Sequence, residues 1–99
     1  MARVEVSRAA VEDIAWLRVT HSLPPDTNER IKSSLRALEQ FPRLGAELAG
    51  GGWEGFRFLL GPWRWMVIVY EVLDEGERVA IVTVQDGRSL SAAPTRATG

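Results

Sequence analysis

The residues able to do chemistry in this chain are few and unevenly distributed. Eleven of its 12 basic residues are arginine, and Lys32 is the only lysine. There is one histidine, His21, one tyrosine, Tyr70, and no cysteine. The lack of cysteine removes disulfides, thiolate catalysis, iron–sulfur ligation and cysteine-type zinc sites. A single histidine and scattered carboxylates show no metal-ligand spacing, so neither a metal nor a cofactor is expected. Arg57, Arg64, Arg88 and Arg96 lie in the second half. There, four of the six acids of residues 53–99 (Glu71, Asp74, Glu75 and Glu77) crowd into one hairpin end. These arginines either form a local basic patch or stand apart as solvated side chains. A guanidinium holds phosphate charge well, but it stays protonated at neutral pH and carries protons poorly.

The other candidates have plainer readings. His21 opens the break His21-Ser22-Leu23-Pro24-Pro25 and reads as a surface or turn-capping residue rather than a base. Tyr70 ends the apolar run Trp65–Tyr70 and reads as core, although strand alternation puts it on the same face as Arg64. Trp16, Trp53, Trp63 and Trp65 could stack on nucleobases. Packing in the core or against a partner is the simpler expectation. Glu54 and Asp86 count as solvated charges. The triplet Gly50-Gly51-Gly52 has no Walker spacing and no lysine, and reads as a flexible connector.

Length and composition bound the rest. Ninety-nine residues make one domain, and 45% apolar with 25% charged residues is the composition of an ordinary globule. Twelve bases against 13 acids argue against a strong nucleic-acid binder, which carries a clear basic excess. Charges interrupt Met1-Ala2-Arg3-Val4-Glu5 at once, unlike a signal peptide. The longest apolar run falls far short of the ~20 residues a membrane span needs. A cytoplasmic protein with no membrane partner is expected.

Periodicity supplies the elements. Val4-Glu5-Val6 alternates as a first strand. Ser7 is a good N-cap, and Ala10, Val11, Ile14 and Leu17 predict a helix over 8–19. Asp26, with Glu29 three residues on, predicts the capping box of a second helix, with Ile31, Leu35 and Leu38 as its stripe. Phe41 ends it and Pro42 stops it. Residues 42–52 read as a loop. The period then changes to two, predicting strands at Gly55–Leu60, Trp63–Leu73 and Arg78–Gln85, joined by turns at Gly61-Pro62 and Asp74–Glu77. The middle strand is apolar on both faces and must be central. The expected fold is α+β: an N-terminal strand, a helical hairpin, and a three-stranded antiparallel meander completing one sheet with the helices on one face. It forms a single domain over 1–88, with 89–99 a mobile tail.

This order, and several short motifs, resemble the RelE/ParE superfamily of bacterial toxins, often called plasmid stabilisation proteins. Leu35-Arg36-Ala37-Leu38-Glu39-Gln40-Phe41-Pro42-Arg43-Leu44-Gly45 is similar to the family's segment closing the second helix. Gly55-Phe56-Arg57-Phe58 and the stretch Gly61–Tyr70 are similar to its central strands, and Val79–Val84 to its last strand. The resemblance covers about residues 3–88. It implies the toxin component of a type II toxin–antitoxin module, inhibiting growth until a cognate antitoxin neutralises it.

The superfamily holds ribosome-dependent mRNA endonucleases (RelE-like) and poisons of DNA gyrase (ParE-like), so ribosome and mRNA, or gyrase, are the implied targets. If the chain is a nuclease, the resemblance makes Arg57, Arg64 and Arg88 its catalytic residues, binding phosphate and stabilising transition-state charge. The pattern is incomplete. Gly55 stands where a second basic residue is expected, Arg88 comes one residue late, and the tail has no Tyr, His or Lys. No acid–base pair is evident. Three readings stay open: mRNA endonuclease, gyrase-binding poison, and an inactive partner-binding relative.

Overall fold

The computed structural model describes residues 1–90. Its elements are β1 (Arg3–Val6), α1 (Arg8–Thr20), α2 (Thr27–Gln40), β2 (Ala46–Glu47), β3 (Phe56–Leu60), β4 (Met66–Leu73), β5 (Arg78–Asp86) and a helical turn, α3 (Gly87–Leu90). One mixed sheet runs in the order β1-β5-β4-β3-β2. β1 is parallel to β5, and the other neighbours are antiparallel. The expected α+β architecture is present: strand, helical hairpin, then a β3-β4-β5 meander. It gains one short strand, because Ala46 and Glu47 pair with Phe58 and Arg57 inside the segment expected to be a loop. The expected tail, residues 89–99, starts within α3 and from residue 91 lies outside the described residues.

β4 forms because its sequence suits a strand covered on both sides. Met66, Ile68 and Tyr70 point toward the helices, where they join Val79, Ile81 and Val84 of β5 in the core. The helices close this core with Ala10 and Leu17 from α1 and with Ile31, Leu35 and Leu38 from α2. Val67 and Val69 alternate to the opposite face and are also buried. α2 begins differently from the expected capping box. The Asp26 side chain makes no capping hydrogen bond. It accepts instead from Arg30 Nε at 2.9 Å, one turn along. The Thr27 hydroxyl donates to the Pro24 carbonyl at 2.6 Å, so the turn closes on itself.

α1 serves as a cover for the edge of β5. β1 pairs only with Arg78–Ile81. Beyond that point the β5 backbone would present unpaired polar groups at an edge. Ser7 donates its N–H to the Ile81 carbonyl and its hydroxyl to the Val82 carbonyl, both at 3.0 Å. The same hydroxyl caps α1 by accepting from the Ala10 N–H. Asp13 Oδ2 then accepts from the Thr83 hydroxyl at 2.5 Å and the Val84 N–H at 3.1 Å. A bulge assists. Tyr70 pairs with Ile81 and Val69 with Thr83, leaving Val82 without a partner on β4. Such an extra residue bends the strand and re-aims its neighbours.

Replacing Asp13 with Ala leaves the Val84 N–H and the Thr83 hydroxyl without their acceptor. We expect a loss of about 1–3 kcal/mol in urea unfolding. Asp13→Asn, which keeps an acceptor oxygen, should recover at least half of it.

Candidate functional site at the end of the sheet

β4 begins where β5 ends: Met66 pairs with Asp86, and the Gly87 N–H donates to the Trp65 carbonyl at 2.5 Å. Residues 61–65 form the link into β4 instead of lengthening it. Gly61 N–H donates to the Met66 carbonyl, and Met66 N–H to the Trp63 carbonyl, both at 2.9 Å. The expected strand Trp63–Leu73 therefore starts three residues late. This takes Arg64 out of the strand alternation shared with Tyr70. Arg64 stands exposed on the turn, while Tyr70 is fully buried.

The two tryptophans of this link build a stack. The Arg30 guanidinium lies 5.7 Å from the Trp63 ring centroid. Trp63 and Trp65 are 6.2 Å apart at 22°, and His21 lies on Trp65 at 4.2 Å and 14°. Cation–π attraction and flat ring contact hold the start of α2, the link and the turn between the helices together. Trp16, by contrast, is exposed on α1.

Asp86 organises the polar side of this end. Its side chain is only 15% exposed. Oδ1 accepts from the Arg88 N–H at 2.9 Å and Arg88 Nε at 3.1 Å, and Oδ2 from Arg88 Nη2 at 2.8 Å. His21 Nε2 lies 3.0 Å from Oδ2. Hydrogen bonds from Arg88 hold the Asp86 carboxyl far below the usual carboxylate range, against a smaller opposing effect of burial. The Arg88 guanidinium is pushed up in turn by the same carboxylate. His21 Nδ1 is 3.0 Å from the Thr20 hydroxyl, which donates to the Trp16 carbonyl at 3.0 Å. Both ring nitrogens of His21 are thus engaged.

The three arginines singled out above do not share one place. Arg64 and Arg88 flank the Trp65–Gly87 backbone contact at this end. Arg57 pairs across from Tyr70, four residues further along β4, or about 13 Å by strand rise. Its Nη1 donates to the Gly45 carbonyl at 2.8 Å and the Arg43 carbonyl at 3.3 Å. Tyr70 completes this knot, its hydroxyl accepting from the Gly45 N–H at 2.8 Å. Burial raises the Tyr70 hydroxyl above its ordinary range, opposed by the Gly45 N–H and the Arg57 charge. A Cβ at Gly45 would collide with the Phe58 carbonyl and lie 2.8 Å from the Tyr70 hydroxyl, so only glycine fits.

This end of the sheet carries the exposed Arg64 and the Asp86-bound Arg88 beside the aromatic stack. Among the described residues, no group of three or more His, Asp and Glu could hold a metal ion. His21 and Asp86 were not legible as a pair, being 65 residues apart. The signal that joins them is geometric: a 13-residue α1 leaving β1 next to β5.

The chain has the fold of the RelE/ParE toxins. The isolated Escherichia coli RelE toxin superposes with a TM-score of 0.61 at 21% identity, covering 98% of this chain and 99% of that one. A chain of the intact E. coli RelBE toxin–antitoxin complex gives 0.61 at 20% identity over 87% and 96% of the two chains. The YoeB/ParE toxin of Agrobacterium tumefaciens gives 0.61 at 16% over 85% and 96%. No family model and no curated protein matches the sequence.

The depressed Asp86 carboxyl has a signed consequence for stability. A carboxyl lowered on folding stabilises above its ordinary value of 3.8 and loses that contribution as pH falls through its folded-state value. Urea midpoints of wild type and Asp86→Asn should therefore differ by a constant amount from pH 7 to about 5. The gap should close as acid is added below about pH 4.

Proposed function

We propose that this chain is the toxin of a type II toxin–antitoxin module, and that it acts in the cytoplasm on mRNA at the translating ribosome. The observation that carries this reading is the Gly87–Trp65 backbone hydrogen bond, which sets the neighbouring residues Arg88 and Arg64 at the same end of a RelE-like sheet. Cleavage of an RNA strand by its own 2′-hydroxyl builds charge on a phosphorane. The Arg88 guanidinium, held by Asp86, offsets that charge with little reorganisation, and Arg64 adds a second positive charge from the turn. Arg57 stands apart from this site and fixes the Arg43–Gly45 loop against β3. Proton transfer then falls to solvent or to groups of the ribosome, because neither His21 ring nitrogen is free. That same fact favours the second reading, a poison that binds gyrase and cuts nothing itself.

A cognate antitoxin is the proposed partner under both readings. RelE is found with its antitoxin in the RelBE complex. Here α1 leaves Val11, Trp16 and Val19 exposed. Between α1 and α2 runs an apolar groove of about 420 Å³, lined by Ile14, Ala15, Ile31 and Leu35 with Arg18 and Lys32 at its rim. An amphipathic segment with acidic residues matches it in shape and charge.

Inducing the chain alone in a bacterial host, with mRNA 5′ ends and plasmid supercoiling followed in the same cultures, tests both readings. We expect growth arrest, new cuts within translated codons and unchanged supercoiling. Arg64→Ala and Arg88→Ala should each reduce cutting by about a hundredfold, the usual effect of removing one preorganised donor. Arrest with intact mRNA and altered supercoiling establishes the gyrase reading instead.

A further inference from the structure

The turn between the helices lies far from Arg88 in sequence, yet it ends on the carboxylate that holds Arg88. Asp86 uses both oxygens on Arg88, and its Oδ2 has one further partner, His21 Nε2. An ionised carboxylate only accepts, so Nε2 donates to it. Arg88 is 74% exposed, whereas the Asp86 carboxylate is mostly enclosed. The enclosed end must therefore be anchored from the protein side if the exposed end is to have a fixed direction. The anchor is built to be stiff. The His21 ring lies flat on Trp65, and its Nδ1 meets Thr20, whose hydroxyl is tied to the last turn of α1.

We propose that His21 is a positioning residue for Arg88. Through Asp86 it orients the guanidinium at the sheet end that also carries Arg64, making the α1–α2 turn part of the phosphate-binding site. Asp86 occupies the Nε and Nη2 side of the guanidinium. A guanidinium carries five N–H groups in a planar fork, so the Nη1 side remains for a phosphate oxygen. His21 touches no RNA in this arrangement and moves no proton. The proposal rests on the reading that Arg64 and Arg88 hold RNA phosphate.

Two measurements on the full chain separate the proposal from that reading. The first is the exchange rate of the Arg88 Nε–H proton by NMR, which needs no RNA. His21→Leu keeps bulk on Trp65 but donates nothing. It should speed exchange at least fivefold, while His21→Gln, with an N–H near the place of Nε2, should restore slow exchange. Unchanged exchange in His21→Leu overturns the proposal, and so does His21→Gln behaving like His21→Leu. The second is binding of a labelled single-stranded RNA oligonucleotide over a range of salt. Arg88→Ala should weaken binding about tenfold and flatten the salt slope by about 0.7, one single-strand phosphate contact. His21→Leu should weaken binding by a similar factor, and the His21→Leu/Arg88→Ala double variant should bind within twofold of Arg88→Ala alone. With Arg64→Ala the His21→Leu loss should instead multiply. Losses from His21→Leu and Arg88→Ala that multiply overturn the proposal and leave His21 a stabilising residue only. If the wild type binds no RNA, the phosphate reading fails, and the exchange measurement still decides whether His21 orients Arg88.

Discussion

The pairing of β1 with β5 joins residues 3–6 to residues 78–81 and fixes where α1 can go. The chain leaves β1 at Ser7 beside the middle of β5, and α1 must then run along the uncovered half of that strand. The lengths agree. Thirteen helical residues rise about 20 Å, and the five steps from Ile81 to Asp86 span about 17 Å. Ser7 is pinned to Ile81 and Val82, Asp13 to Thr83 and Val84, and His21 to Asp86, in that order along both elements. A helix one turn shorter would place another residue against Asp86. The candidate site is thus set by a strand pairing at the far side of the fold.

The charges of the site follow from the same placement. Of the three arginines the family pattern points to, one is used inside the fold: Arg57 donates to the Arg43 and Gly45 backbone carbonyls. Arg88 is held by Asp86 along one edge, and Arg64 stands on a turn made by residues 61–65. With 13 acids against 12 bases, the near balance of total charge conceals this local arrangement. Four of the six acids of residues 53–99 cluster at residues 71–77, at the opposite end of β4, while Asp86 stands beside Arg88 itself.

Much of the fold was legible because its signals are local. Ser7 caps α1, the Ile31, Leu35 and Leu38 stripe faces the core, and β4 is apolar on both faces because both are covered. Misreadings occurred where tertiary contacts outweigh a local pattern. Trp63 and Trp65 alternate as a strand would, but stacking on Arg30 and His21 holds them in a turn. Asp26 stands at a capping position, but Arg30 claims its carboxylate. The two-residue β2 has no signature beyond Gly45, whose close contact with Phe58 and Tyr70 lets the chain approach β3. Neither His21 nor Asp86 carries a pattern that points to the other. Only the helix length and the strand register bring them together.

The long reach of the β1–β5 pairing also bears on when the protein can take shape. The first strand made finds its partner only in the last, so the central strand β4 has one neighbour missing until residues 78–86 are available. Contacts of such separation are slow to form and cannot be anticipated by local structure. During synthesis, the α1–α2 hairpin emerges with its apolar stripe uncovered, and the arginine-bearing end of the sheet does not yet exist. A nascent chain of this fold therefore exposes the apolar stripe of its helices before the end of the sheet that carries Arg64 and Arg88 has formed. Any protein able to cover those helices meets the chain before that end has been assembled.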